Sequence, residues 1–191
     1  MNWFPDYKYI LGSKSPRRSQ LIKSIGLEFE IVTKEVEEKY PDNLNKEEIP
    51  VFLAQLKAKP FLDDLKEKEL LMTADTIVWF EGEVLGKPKD KEEAFQMLQK
   101  LSGNEHQVIS GVCLTSQHKQ KSFYSISNVL FKKLTSDEIE FYIDEFKPYD
   151  KAGAYGIQEW IGSIGITHIE GSFYNVMGLP IQKLYEEIQK F

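Results

Sequence analysis

The sequence predicts a mixed α/β fold in which helices flank a mixed sheet. Short apolar runs alternate with capped helical stretches, as expected where strands and helices interleave in one layered core. Two pairs of strand-like runs also follow each other directly across short turns, which adds antiparallel partners to the sheet. At 191 residues, 41% of them hydrophobic and 28% charged, the chain is large enough to bury a core without covalent staples.

Tyr9–Gly12 is a short apolar run suited to a buried strand. Ser13-Lys14-Ser15-Pro16 then turns into a helix predicted over Arg17–Ile25. Ser15 is a natural N-cap there, and Pro16 takes the first helical position, where its missing N–H costs nothing. Gly26 stops this helix, and Phe29–Val32 reads as a second strand. Glu35–Lys46 is polar and reads as loop. Pro50 opens a helix with Val51, Phe52, Ala54 and Leu56 facing inward, and Pro60 ends it. Leu70–Phe80 is a second apolar run, broken by Asp75 and followed by a tight turn at Glu81-Gly82 into Glu83–Leu85. Asp90 with Glu93 gives a capping-box pattern for a helix over Lys91–Leu101, stopped near Gly103. Gln107–Thr115 and Lys121–Phe131 read as paired strands joined around Ser116–Gln120. Thr135 and Glu138 form another capping box, for a helix that ends before Pro148. Ala152–Gly156 reads as a glycine-rich loop, Ile164–Glu170 as a strand, and Pro180 opens a last helix running to the C-terminus.

Composition excludes several classes. The 24 Lys and Arg against 30 Asp and Glu give 24 − 30 = −6, the wrong sign for a general nucleic-acid binder, though a few local cations suffice for a small anion. The single cysteine, Cys113, excludes an internal disulfide and a multi-cysteine zinc site, and its apolar strand setting suits a core residue better than a nucleophile. His106, His118 and His168 show no HExxH spacing, and no GxSxG elbow or GxxxxGK[ST] loop is present. Met1–Ile10 lacks the apolar run of a signal peptide. The longest stretch without Asp, Glu, Lys or Arg, His106–His118, is interrupted by polar residues and too short to span a bilayer. The expectation is a cytoplasmic protein with no membrane partner.

Four segments carry candidate chemistry. In Ser13-Lys14-Ser15-Pro16-Arg17-Arg18 a helix N-terminus offers free N–H groups and partial positive charge, and two guanidinium forks add donors matched to phosphate oxygens. Consecutive helical residues diverge by about 100°, so Arg17 and Arg18 would embrace different phosphates, or one would face a base. A capped helix carrying two solvated arginines is the plainer alternative. Asp75 is a carboxylate inside an apolar strand, costly unless paired, hydrogen-bonded or holding a metal. Gly86-Lys87-Pro88-Lys89 frames Lys87 so that it can be aimed at phosphate, yet exposed loop lysines are common. Lys57 and the Glu37-Glu38 pair are unremarkable taken alone. In Gly153-Ala154-Tyr155-Gly156-Ile157-Gln158 the Gln158 amide can read a planar imide edge with both donor and acceptor, whereas composition alone suits a tight loop equally well.

Together the pieces resemble the Maf family. Ser13-x-Ser15-Pro16-Arg17-Arg18, Leu53-Ala54-x-x-Lys57-Ala58, Ala74-Asp75-Thr76 and Gly86-Lys87-Pro88 stand in that family's order. So do Leu101-Ser102-Gly103-x-x-His106-Gln107-Val108, Asp150–Gln158, Ile169-Glu170-Gly171-Ser172 and Asn175–Pro180, so the resemblance runs from Tyr9 to about Ile188. It implies a nucleoside triphosphate pyrophosphatase that leaves a nucleoside monophosphate and requires a divalent cation, Mg²⁺ or Mn²⁺. The implied architecture is a single domain over residues 1–191 with an elongated mixed sheet, two lobes and a central cleft, similar to the inosine-triphosphate pyrophosphatases of the Ham1 type. The implied general base is Asp75, with Lys57 and Lys87 beside it in catalysis. Arg17, Thr76 and Gln158 match positions associated with substrate choice, Ser13 and Arg18 other substrate-contacting positions, and Glu38 with Asp75 would anchor the metal. Tyr155-Gly156-Ile157-Gln158 matches the branch acting on dTTP and UTP rather than the one acting on 7-methyl-GTP. A glutamine facing the O4/N3 edge of a pyrimidine, modified ones included, is chemically sensible. The resemblance also suggests a homodimer. The competing class is a non-catalytic nucleotide-binding regulator of cell division. Gly12 and Glu159-Trp160 depart from the family's usual alanine and Gly-Leu.

Overall fold

The structure is a computed structural model and describes residues 3–191. Its elements run β1 (Lys8–Leu11), α1 (Pro16–Ser24), β2 (Glu30–Ile31), α2 (Glu48–Ala58) with a 3-10 turn over Lys59–Phe61, β3 (Glu69–Phe80), β4 (Glu83–Leu85), α3 (Lys91–Leu101), β5 (Glu105–Thr115), β6 (Gln120–Phe131) and α4 (Ser136–Phe146). A 3-10 turn at Ala152–Ala154 then leads to α5 (Trp160–Gly165), β7 (Ile166–Glu170), α6 (Phe173–Val176) and α7 (Ile181–Gln189). The strands form one sheet in the order β2-β1-β3-β5-β6-β7, with β4 paired to β3. β1 runs parallel to β2 and β3, whereas β3–β4 and β6–β7 are antiparallel, so the sheet is mixed as the sequence predicts.

Local differences have physical reasons. α2 starts two residues before Pro50, which falls in the first turn where a backbone N–H has no intrahelical partner to lose. Asp75 does not break its strand, because β3 continues through it. The box predicted from Asp90 and Glu93 is half formed: the Asp90 carboxylate accepts from Glu93 N, but the Glu93 carboxylate turns to Lys89 N. The Thr135–Glu138 box is complete. The strand predicted from Ile164 begins at Ile166, since 160–165 form α5, and neither α5 nor α6 is long enough to show a helical period.

The chain divides into two compact units, with boundaries inside β3, β5 and β6 after Thr76, Ile109 and Ser125 and a fourth between α6 and α7 after Met177. The first holds the described residues up to Thr76, Ser110–Ser125 and Gly178–Phe191. There α2 lies on β1, β3 and β5 through Ala54, Ala58, Ile10, Leu71 and Cys113, and Cys113 is buried as a core residue. Gly111 on β5 permits this approach: a Cβ there would stand 2.3 Å from the Pro50 carbonyl carbon, so only a glycine lets the first turn of α2 so close. The second unit, Ile77–Ile109 and Ile126–Met177, has its own core. Ala94, Leu98 and Leu101 of α3 and Ile139, Tyr142 and Ile143 of α4 pack there with Val78, Val108, Val129 and Phe131 of the strands. Among the described residues no helix is long and apolar enough to cross a membrane.

Candidate active site

The pairing of β1 with β3 ends at Leu11 opposite Met72, and Gly12 N donates the last ladder bond to Met72 O at 2.9 Å. Carbonyls on one edge of a strand recur every second residue, so Ala74 O is the next acceptor on that edge and β1 no longer reaches it. The chain has turned at Ser13–Ser15, where the Ser15 hydroxyl accepts from Arg18 N and caps α1. The Arg18 side chain takes the vacated acceptor, with Nη1 donating to Ala74 O at 2.8 Å and to Ser13 Oγ at 3.3 Å. Its Nε donates to Gly178 O at 2.9 Å and its Nη2 to Thr76 Oγ1 at 3.3 Å. In this arrangement the Arg18 fork is engaged by protein oxygens and joins the start of α1 to β3 and Gly178. Burial lowers the pKa of this guanidinium and Arg17 adds to that, while Asp75 and Glu38 oppose them. Arg17 is half-buried beside it.

Thr76 is saturated in the same way. Its hydroxyl donates to Gly178 O at 3.2 Å and accepts from Arg18, and Ser110 Oγ stands 2.8 Å away. Ser110 was not visible as a site residue in the sequence, because a serine in an apolar strand is a common core feature.

Side chains alternate along β3, so Thr73 and Asp75 share one face. Thr73 Oγ1 donates to Ala54 O at 2.7 Å and ties this face to α2. Lys57 lies one helical turn after Ala54, and its ammonium meets Asp75 Oδ1 at 2.5 Å. The same ammonium stands 3.1 Å from Glu38 Oε1. Asp75 is 8% exposed, whereas Glu38 is exposed on the loop before α2. Two carboxylates from distant segments therefore converge on one cationic point. Thr73 was missed in the sequence, although an alcohol two residues before the buried acid, on the same strand face, is the signal that could have found it.

No group of three His, Cys, Asp or Glu capable of holding a metal occurs among the described residues. Asp75 and Glu38 nonetheless point at a common cation, and Mg²⁺ takes few protein carboxylates when phosphates and waters complete its octahedron, so the pair fits such an ion.

Lys87 and Gln158 belong to the second unit, and both are exposed. Gly153 N donates to Gly86 O at 3.0 Å, which joins the Lys87 loop to the turn leading to Gln158. Behind that turn Tyr155 meets His106 Nε2 through its hydroxyl at 2.7 Å.

Relatives of this chain carry a consistent description. A protein of Phocaeicola vulgatus named dTTP/UTP pyrophosphatase is 52% identical over 185 residues, covering 96% of both chains. One of the same name from Flavobacterium psychrophilum is 52% identical over 182 residues, covering 95% of this chain and 93% of its own. Among solved structures, the Staphylococcus aureus Ham1 protein is similar in fold, with a TM-score of 0.52 at 16% identity over 94% of this chain and 99% of that one. The family model described as Maf-like protein matches residues 8–191, and this chain belongs to that family.

Proposed function

We propose that this chain hydrolyses dTTP and UTP to the nucleoside monophosphate and pyrophosphate. The observation that carries this reading is the buried Asp75 carboxylate on Lys57, with Glu38 on the same ammonium. The names of the relatives support the substrate class. In this reading Asp75 accepts the proton of a water whose oxygen bonds to the α-phosphorus, while the bond from that phosphorus to the bridging oxygen breaks and pyrophosphate leaves. Lys57 orients Asp75, and together with Arg17 and Lys87 it supplies positive charge to the phosphates. A divalent cation held by Asp75 and Glu38, Mg²⁺ or Mn²⁺, supplies further neutralisation for a triphosphate bearing about four negative charges. Arg18 works at one remove by fixing Ser13, Thr76 and Gly178, and the Gln158 amide reads the pyrimidine edge.

The test is pyrophosphate release from dTTP, UTP and 7-methyl-GTP with Mg²⁺ or Mn²⁺. The two pyrimidine nucleotides are expected to be cleaved. Asp75→Asn is expected to lose at least about a hundredfold in turnover while still binding nucleotide. A preference for 7-methyl-GTP overturns the substrate reading, and near-wild-type turnover in Asp75→Asn removes the base role. No product from any triphosphate would leave a nucleotide-binding regulator.

A further inference from the structure

A polar network in the second unit ends on the loop that carries Gln158. Gly156 N donates to the Tyr142 hydroxyl at 3.0 Å, and that hydroxyl in turn donates to Glu159 Oε2. Glu159 Oε1 pairs with Lys151 Nζ at 3.1 Å, and the same ammonium holds Asp150 Oδ1 at 2.7 Å. Tyr142 is fully buried and Lys151 is 8% exposed, so the Tyr142–Glu159–Lys151 part of the network is largely shielded from water, while Asp150 at its end is exposed. Burial, and then the Glu159 carboxylate, push the Tyr142 phenol far above its ordinary pKa, so it remains a donor to Glu159 and an acceptor for Gly156 N.

Gly156 shows where the two neighbouring side chains go. A Cβ on it would lie 2.8 Å from Glu159 Cδ, 3.0 Å from Glu159 Oε2 and 3.0 Å from Gln158 Nε2. The Glu159 carboxylate and the NH₂ end of the Gln158 amide thus crowd the same point above the Gly156 backbone. A carboxylate there favours the amide NH₂ and repels the amide oxygen that a flip would bring in.

We propose that Lys151, Glu159 and Tyr142 are specificity-positioning residues that hold the Gln158 amide in one of its two flipped orientations. The proposal rests on Gln158 as the reader of the base. Uracil and thymine present an O4 acceptor beside an N3–H donor, whereas cytosine presents an N4 donor beside an N3 acceptor, the reverse pattern. An amide free to flip satisfies either edge, and an amide held one way satisfies one. Discrimination between UTP and CTP therefore depends on residues that touch neither base.

The test is kcat/KM for UTP and for CTP, measured on the full chain with Mg²⁺ in the wild type and in Glu159→Gln, Tyr142→Phe and Gln158→Ala. Glu159→Gln keeps the shape and an acceptor for Tyr142 but removes the charge. Its UTP-to-CTP ratio is expected to fall about tenfold, through a higher KM for UTP more than a lower kcat. Tyr142→Phe leaves Gly156 N without its acceptor, and a fall of about threefold is expected. Ratios that hold in both variants while Gln158→Ala collapses the ratio overturn the proposal and spare the role of Gln158. A Gln158→Ala ratio equal to wild type overturns both. Equal losses on UTP and CTP in Glu159→Gln, with a lower melting temperature, mark a purely structural network and also overturn it.

Discussion

Arg18 and Lys57 show how single side chains hold this site together. Arg18 spans four acceptors with one rigid fork, a task a lysine ammonium cannot perform from one nitrogen. Arg18→Lys is expected to lose about 2 kcal/mol in urea unfolding, since Gly178 O and Ala74 O cannot both be served. Lys57 is the partner of a carboxylate that is 8% exposed. Lys57→Met strands that charge, and a loss of about 3 kcal/mol is expected. The same substitution on an Asp75→Asn background is expected to cost far less, because no buried charge remains, and equal costs would show that the pair is not coupled. The sequence made Asp75 legible, since a carboxylate within an apolar strand needs a reason. It did not reveal where Arg18 points. A capping motif fixes the backbone, whereas the direction of this fork follows from the point where β1 stops short of Ala74.

The position of Lys57 over Asp75 is a property of elements, because two contacts beside the apolar packing fix how α2 lies on β3 and β5. One is the Thr73 hydroxyl on Ala54 O, the other the bare Gly111 backbone under Pro50. Thr73→Val keeps the shape and removes the bond, and about 1 kcal/mol is expected to be lost. Gly111→Ala presses a methyl group into main-chain atoms that cannot rotate away. It is expected to cost about 2–3 kcal/mol and to lower turnover by moving Lys57 off Asp75. Unchanged turnover in a folded Gly111→Ala protein would separate the packing of α2 from the chemistry. Elements with chemical punctuation were legible: Ser15 and Thr135 cap helices where the sequence places them. α5 and α6 were not, because helices of 6 and 4 residues complete too few turns to show a period.

At the scale of the molecule the mixed sheet was legible from alternation and adjacent strands, whereas a division in two was implied only by the family resemblance and its boundaries by no residue pattern. Three of the four boundaries fall inside β3, β5 and β6, where composition does not change, and only the fourth, at Met177–Gly178, lies in a connection with a glycine and a proline. The stability of the folded chain carries a further signature that the sequence hid in an ordinary histidine. His106 is 2% exposed, stacked on Phe131 and bonded to Tyr155, and its Nδ1 has no hydrogen-bond partner among the described residues. Burial pulls its pKa from 6.5 down to about 4. The unfolded chain therefore binds a proton between those values that the folded chain refuses, and stability rises with pH across this window. The contribution is fully present above pH 6.5 and is lost as pH falls through about 4, a difference of about 3 kcal/mol. Unfolding free energies from urea titrations between pH 7.5 and pH 4 are expected to fall more steeply for the wild type than for His106→Gln. The excess slope should approach about 1.4 kcal/mol per pH unit. The glutamine still offers Tyr155 a partner but has nothing to titrate, so parallel pH profiles for the two proteins would mean that His106 is not held neutral.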